Sequence, residues 1–161
     1  MRRRLEGVLR EEYNLPYDVV QAVLGERGDN PHAALLAARD LAQVVTQPDW
    51  PDTLNAYARC VRIVRGLEQR YTTEPDRFTE VEEKALYAAY QQACARLTPI
   101  SSLIRVVTVL RESLVAPINT FFDKVLVMDE NEAVRQNRLA LLQDIRDLTQ
   151  GYADFSQLQG F

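Results

Sequence analysis

The 161-residue chain is poor in the residue types that most enzymes use for acid–base and nucleophilic chemistry. Its single histidine, His32, follows Asn30-Pro31 at a predicted helix start, where a histidine is expected to lie on the surface. Without His32, no Ser/His/Asp or Cys/His combination can be assembled, and the sequence contains neither a P-loop nor a GxGxxG motif. The sequence therefore predicts no catalytic residue, and an independent helical enzyme is the least favoured interpretation.

Cysteine is also scarce. Cys60 and Cys94 stand alone, each inside a helix-like segment. Two isolated cysteines form neither a disulfide framework nor a zinc site, so no metal site is predicted. We expect both to be small core or boundary residues of a protein in a reducing, cytoplasmic compartment.

The chain also lacks long apolar runs and an excess of positive charge. No run reaches 18 apolar residues, and no apolar stretch follows the charged N-terminus, so neither a membrane span nor a secretory signal is predicted. The net charge of −4 argues against a general nucleic-acid coat, which would usually be basic. A local basic strip on an acidic protein can nevertheless bind phosphates.

No alternating strand pattern of useful length is present, and glycine and proline fall mostly between segments with helical periodicity. The pattern predicts an all-α bundle of about seven or eight helices. Asn30 and Ser101 or Ser102 are expected helix caps, and Asp129 with Glu132 is expected to form a capping box. The predicted helices cover, approximately, residues 2–13, 17–24, 32–46, 52–71, 79–97, 102–115, 119–127 and 130–150.

The prolines around Trp50 divide the predicted bundle. Residues 1–48 are interpreted as a helical lead-in from a preceding region, and residues 49–161 as one compact helical bundle. No internal repeat of 30 to 45 residues supports a solenoid.

The predicted fourth helix has a basic edge. Arg59, Arg62 and Arg65 fall in a strip about 120° wide, opposite an apolar side. An ordinary solvated face is one interpretation of this strip. The other is a row of phosphate contacts, because the planar guanidinium binds phosphate oxygens in pairs. Arg70 and Tyr71 would extend the row with a further cation and a ring that can stack on an unpaired base.

The last long helix carries an arginine in its apolar face. Arg138 lies between Val134 and Leu142, and an unpaired buried charge there would be costly. We expect Asp123, just behind Phe121-Phe122, to pair with Arg138 and to fix the short helix to the long one. Arg135 points away from the apolar centre and is expected to face solvent or RNA.

Residues 121–142 read FFDKVLVMDENEAVRQNRLALL. This segment resembles the C-terminal signature of bacterial glycyl-tRNA synthetase β subunits, FFD-x-V-x-V-M followed by R-x-N-R-L-x-L-L. Residues 17–24 (YDVVQAVL), the helix at 55–65 and the ending ADFSQL are also similar to that family. The chain departs from the family's pattern at Arg62, where asparagine is usual, and at Cys60, where arginine or lysine is common.

The resemblance implies a DALR-type anticodon-binding domain, an all-helical bundle found also in arginyl- and cysteinyl-tRNA synthetases. It implies that a separate catalytic α subunit activates glycine with ATP and Mg²⁺, so that this segment needs no cofactor of its own. It also implies that the chain is a fragment of a longer β subunit, with Met1 as an introduced start and an end near the natural C-terminus. The expected partners are the anticodon stem-loop of glycine tRNA, the α subunit and the rest of the β subunit.

Glycine anticodons contain two specifying cytosines, each with one amino donor beside two acceptors. A carboxylate or backbone carbonyl is expected to take the donor, and an arginine or backbone amide the acceptors. Phosphate contacts from the cationic residues would fix the register. The predicted tRNA-binding residues are Arg59, Arg62, Arg65, Lys124 and Arg135. The alternative is a helical protein-interaction module without RNA contact, which the acidic net charge favours.

Overall fold

The computed structural model describes all 161 residues and contains no β-strand. Short 3₁₀ turns occur at Pro75–Arg77, Asp147–Thr149 and Phe155–Gln157, and π-helical turns at Val8–Glu12 and Leu110–Leu114. The all-α prediction, with seven or eight helices, is confirmed. The eight α-helices are α1 (Arg2–Gly7), α2 (Tyr17–Arg27), α3 (Pro31–Val44), α4 (Trp50–Val64), α5 (Val81–Ala95), α6 (Leu103–Val109), α7 (Val115–Lys124) and α8 (Glu132–Arg146).

Helix α4 is at the centre of the packing. It contacts α8 on one side and α7 on the other, while α5 packs on α7 and α3 packs between α2 and α6. Leu54, Tyr57, Cys60 and Val64 recur at helical spacing on the buried side of α4. Residues 137–143 of α8 are all buried, so this helix is enclosed on nearly every side.

The two predicted ranges, 1–48 and 49–161, share a core in the structure. Val23 from α2 and Leu41 from α3 belong to the same apolar cluster as Leu54, Phe121 and Leu142. A second, small cluster of Leu9, Val20 and Leu24 joins α1 to α2. The division into a lead-in and a bundle stays a prediction from the sequence pattern, and residues of both ranges contribute to this core.

Two predicted caps are present as expected. The Asn30 side chain accepts a hydrogen bond from the Ala33 amide, with Pro31 in the first turn, and Ser102 accepts from the Arg105 amide. The cap of α8 differs from the prediction. Asn131 accepts from the Val134 amide, whereas Asp129 accepts from the Asn131 amide and shapes the preceding loop.

Helix α4 is shorter than predicted, and the gap predicted between the helices at 102–115 and 119–127 is absent. The chain leaves α4 after Val64, and Gly66 adopts φ +86°, a conformation that favours glycine and ends helices. Pro117 lies within the first turn of α7, directly after the π-helical turn Leu110–Leu114. Because that wider turn changes the hydrogen-bond pattern before the proline, the helix continues through it.

Candidate nucleic-acid interface

The predicted basic edge of α4 forms a distinct surface, called here the α4 arginine face (Arg59, Arg62 and Arg65). Arg59 is half-buried and Arg62 and Arg65 are exposed. None of the three has a carboxylate oxygen within 4.0 Å, whereas seven other arginines of the chain form ion pairs. In a protein with net charge −4, these guanidinium groups remain available to an anionic partner.

The guanidinium groups of the α4 arginine face lie over aromatic rings. The Arg59 guanidinium carbon lies 4.5 Å from the centroid of the Phe122 ring, and its Nη1 donates to the Asn119 side-chain oxygen at 3.5 Å. Phe122 is itself held edge-on by the buried Phe121, with ring centroids 5.5 Å apart. Stacking on a ring restricts the guanidinium while leaving most of its N–H donors unoccupied.

Arg62 and Arg65 share one ring. Their guanidinium carbons lie 5.3 and 5.4 Å from the centroid of Phe161. Arg65 follows the last residue of α4 and has an extended backbone, so it reaches the same ring from beyond the helix end. The structure thus brings all three predicted arginines onto one surface near α7 and the final residue.

The other two predicted RNA contacts differ from each other. Lys124 is exposed at the C-terminal end of α7 and forms no ion pair. Arg135 is half-buried, and its Nη1 donates to the Asp129 carbonyl oxygen at 2.9 Å. Arg135 therefore supports the loop between α7 and α8, and a contact between this side chain and RNA stays a prediction.

The buried arginine of α8 has a different partner from the one predicted. Arg138 is 6% exposed, and its Nη2 donates to Glu83 Oε1 on α5 at 2.7 Å. Its Nη1 donates to the Leu126 carbonyl oxygen at 2.6 Å and lies 3.5 Å from Asp129 Oδ2. Asp123 is exposed and forms no ion pair with Arg138, so the predicted Asp123–Arg138 pair is wrong. Asp123 lies at the solvent-facing end of α7, whereas Glu83 points into the core.

The sequence contains a feature that could have identified Glu83 as the partner of Arg138. Glu83 belongs to the acidic first turn of α5, where carboxylates complement the helix dipole. Glu83 also lies three residues before Leu86, on the buried side of α5, and is only 2% exposed. A carboxylate at a core position requires a buried cation, and Arg138 is the one buried cation of the chain.

Two buried amides on α8 fix the segment after α4, a feature that the sequence analysis missed. Asn137 accepts from the Glu74 amide at 2.7 Å and donates to the Glu74 carbonyl at 3.0 Å. Gln143 accepts from the Tyr71 amide at 3.0 Å and donates to the Gln69 carbonyl at 2.9 Å. These bonds replace the helix that was predicted to continue to Tyr71.

Arg70 and Tyr71 consequently serve the fold. Arg70 forms ion pairs with Asp144 and Asp147 of the α8 region, at 2.5 and 3.2 Å. Tyr71 is half-buried and packs against the apolar core. The extension of the basic row that the sequence predicted is therefore absent, and the α4 arginine face ends at Arg65.

An open pocket of about 370 Å³, called here the α4 pocket, lies between α4 and the turns that follow α8. Tyr57 forms part of its wall, and its phenol donates to the Arg146 carbonyl at 2.6 Å and contacts the Thr149 hydroxyl at 2.7 Å. Burial raises the pKa of Tyr57, which keeps the phenol protonated. Arg65 and Phe161, which stack on each other, also line the pocket.

No group of three or more histidine, cysteine, aspartate or glutamate side chains is arranged to hold a metal ion. His32 is exposed in the first turn of α3. None of the helices combines the length and apolar character that a bilayer crossing requires.

The sequence model of the DALR anticodon binding domain matches residues 53–152, from the first turn of α4 to beyond α8. The match covers more than half of the chain and includes the α4 arginine face and the buried polar residues of α8. This chain belongs to the DALR anticodon-binding domain family. In this DALR domain, the matched residues also include the loop between α7 and α8 that Arg138 holds.

The DALR domain is similar to glycine–tRNA ligases over nearly its whole length. It is 39% identical to glycine–tRNA ligase, chloroplastic/mitochondrial 2, of Arabidopsis thaliana, across 99% of this chain and 15% of that protein. It is 36% identical to the glycine–tRNA ligase β subunit of Moorella thermoacetica and 34% identical to that of Rhodospirillum centenum, each across 98% of this chain and 23% of the relative. The chain thus spans less than a quarter of the length of these relatives.

Proposed function

We propose that this DALR domain binds the anticodon stem-loop of glycine tRNA as part of a glycine–tRNA ligase β subunit. The observation that carries the proposal is the α4 arginine face, where three arginines stack on aromatic rings and none is neutralised by a carboxylate. A surface of this kind suits RNA loops, because guanidinium groups bind phosphate oxygens and stack on unpaired bases. The family and the similarity to β subunits support this choice of partner.

In this proposal the domain recognises the tRNA and carries out no chemical step itself. A separate α subunit uses ATP and Mg²⁺ to attach glycine, and the rest of the β subunit joins the two. A cytoplasmic location belongs to the same proposal. Arg59, Arg62 and Lys124 supply phosphate contacts that fix the register, and Arg135 adds a contact beside the α7–α8 loop.

The test is a fluorescence titration of the chain with a glycine anticodon stem-loop and with a loop in which both specifying cytosines are replaced. Each titration is run at low and at moderate salt. Preference for the native loop is the expected result, with affinity that falls as salt rises because phosphate contacts release counterions. Equal binding to both loops would reduce the function to phosphate contact without anticodon discrimination.

A protein-interaction module without RNA contact is the second candidate, and one observation favours it. Leu126 and Met128 are 69% and 55% exposed on the α7–α8 loop, although the adjacent Val125 and Val127 are buried. Exposed apolar side chains on an anchored loop suit a protein partner. Absence of binding to either RNA at low salt would favour this second function over the first.

A further inference from the structure

We propose that the α4 pocket binds one unpaired cytosine of the RNA loop, and that Arg65 contacts that base directly. This inference rests on the proposed RNA-binding function and adds to it the location of a base site. It also gives Arg65 a role different from the phosphate contact that its position in the sequence suggested.

The charges that line the pocket favour a neutral base over a phosphate. Two arginines, Arg65 and Arg146, face the pocket together with three carboxylates, Glu26, Asp147 and Asp154. These five groups together carry a net charge of −1, which disfavours a phosphate group inside the pocket. A base that combines donors and acceptors is compatible with a lining of mixed sign.

Existing contacts determine which of these groups remain available. Asp147 is occupied by Arg146 at 2.9 Å and by Arg70 at 3.2 Å, and Glu26 accepts from the Gly151 amide at 3.0 Å. Asp154 Oδ1 accepts from the Ser156 amide and hydroxyl. Its Oδ2 has only a 3.5 Å contact, with Gln157. Asp154 Oδ2 and Glu26 Oε1 are therefore the carboxylate oxygens of the pocket with spare capacity to accept a hydrogen bond.

Arg65 supplies the complementary donors. It forms no ion pair, and its guanidinium carbon lies 5.4 Å from the centroid of the Phe161 ring. A cytosine presents one amino donor beside two acceptors, so an arginine edge and one free carboxylate oxygen match that edge of the base. Phe161 adds an aromatic surface, and the pocket volume of about 370 Å³ is of the size that small ligands occupy.

The pocket and the α4 arginine face thus have separate tasks. Arg59 and Arg62 do not line the pocket, and they have no carboxylate near them, so they suit phosphates. Arg65 stands between the two surfaces because it shares the Phe161 ring with Arg62 and also faces the pocket. A loop whose backbone follows α4 would place one extruded base next to Arg65.

The experiment compares the affinity of the 161-residue chain for the native glycine anticodon stem-loop with its affinity for loops in which each specifying cytosine is abasic. For the wild type, one of the two abasic loops is expected to bind about tenfold more weakly, as for the loss of a paired base contact. Arg65→Lys keeps the charge but removes the planar fork. This variant is expected to bind the native loop and that abasic loop about equally.

Arg62→Lys is the matched control, because it makes the same chemical change on the same ring outside the pocket. It is expected to keep the tenfold ratio. Val61→Phe, which adds volume to the pocket wall without changing its charge, is expected to abolish the ratio. Thermal melting of each variant verifies that it is folded.

An unchanged ratio in both Arg65→Lys and Val61→Phe would overturn the base site, while binding of the native loop would leave the proposed function standing. Equal binding of the wild type to the native loop and to both abasic loops would likewise overturn the base site alone. If the wild type bound none of these RNAs, the proposed function and the base site would both be overturned.

Discussion

Arg138 is the only cation that the core encloses, and Glu83 is the only buried carboxylate. The pair joins α8 to α5, and the remaining donors of Arg138 hold the backbone of the α7–α8 loop at Leu126. Burying two charges costs desolvation energy, which good geometry offsets only in part. The pair therefore acts chiefly to fix the position of the loop and the register of the two helices.

Removal of one partner should leave an unpaired buried charge. We predict that Arg138→Met and Glu83→Leu will each lower the free energy of unfolding by about 3–5 kcal/mol, and that the double variant will lose much less than the sum. Urea unfolding measures these values. Asp123→Ala is the control and should stay within about 0.5 kcal/mol of the wild type, because Asp123 is exposed and unpaired. Additive losses in the double variant would contradict the pairing.

The two cysteines should react very differently. Cys60 is fully buried in α4, and burial raises the pKa of its thiol to about 12, whereas Cys94 is exposed. An aromatic disulfide reagent at pH 8 should therefore titrate one thiol in the folded protein and two in denaturant. Cys94→Ala should remove the fast-reacting thiol, and fast reaction of Cys60 in this variant would show that the α4 core opens.

Among the elements, α8 shows best how polar residues organise the fold. Because residues 137–143 are all buried, each polar side chain among them needs an internal partner. Asn137 and Gln143 meet this requirement by bonding the backbone of the extended segment between α4 and α5. The buried face of α8 thus fixes a neighbouring segment that has no helix of its own.

The side-chain amides of Asn137 and Gln143 should each protect from hydrogen exchange the backbone N–H group that donates to them. We predict that Asn137→Ala will accelerate hydrogen exchange at the Glu74 amide, and that Gln143→Ala will do so at the Tyr71 amide. Each change should cost about 1–3 kcal/mol, since buried polar groups lose their partner. Similar acceleration at both amides in both variants would show that the segment detaches as a unit and would contradict separate anchoring.

Helix α3 carries a carboxylate whose environment opposes its charge. Burial raises the pKa of Asp40 above its ordinary value of 3.8, although the Ile104 amide and Arg27 act in the opposite direction. The folded state therefore binds the proton more tightly than the unfolded state, so stability is favoured at low pH and is lost as pH rises through the folded-state pKa.

Asp40→Asn should accordingly raise the melting temperature more at pH 7 than at pH 3. Thermal denaturation at both pH values measures the difference. Asp29→Asn, a change at an exposed aspartate in the turn before α3, is the control. A gain at pH 3 that equals or exceeds the gain at pH 7 would contradict a raised Asp40 pKa.

Local chemistry explains which elements were predictable. Asn30 and Ser102 cap helices through contacts three residues away, so the sequence pattern alone identified them. The end of α4 depends partly on Gly66 and partly on amides more than 60 residues away, and the second contribution leaves no local signal. The basic edge of α4 could be predicted because its arginines recur at helical spacing. The α4 pocket could not be predicted, because its other wall consists of turns that come almost 100 residues later in the chain.

For the whole molecule, the central contrast is between an acidic net charge and an α4 arginine face that no carboxylate neutralises. The net charge of −4 disfavours loose association with nucleic acid, and the α4 arginine face provides a defined place for a phosphate backbone. The buried pair and the amides of α8 hold the helices and loops around that face.

The most direct test of this account replaces Arg59, Arg62 and Arg65 together by glutamine and measures binding of the glycine anticodon stem-loop across a salt series. Each lost single-strand phosphate contact should lower the slope of log K against log salt by about 0.7. We predict a slope reduced by at least one such contact and a large loss of affinity at low salt. The matched control replaces Arg3, Arg39 and Lys84, three exposed cations on other helices, with the same change in charge. Equal losses in the two triple variants would contradict the account, because net charge rather than the α4 arginine face would then determine binding.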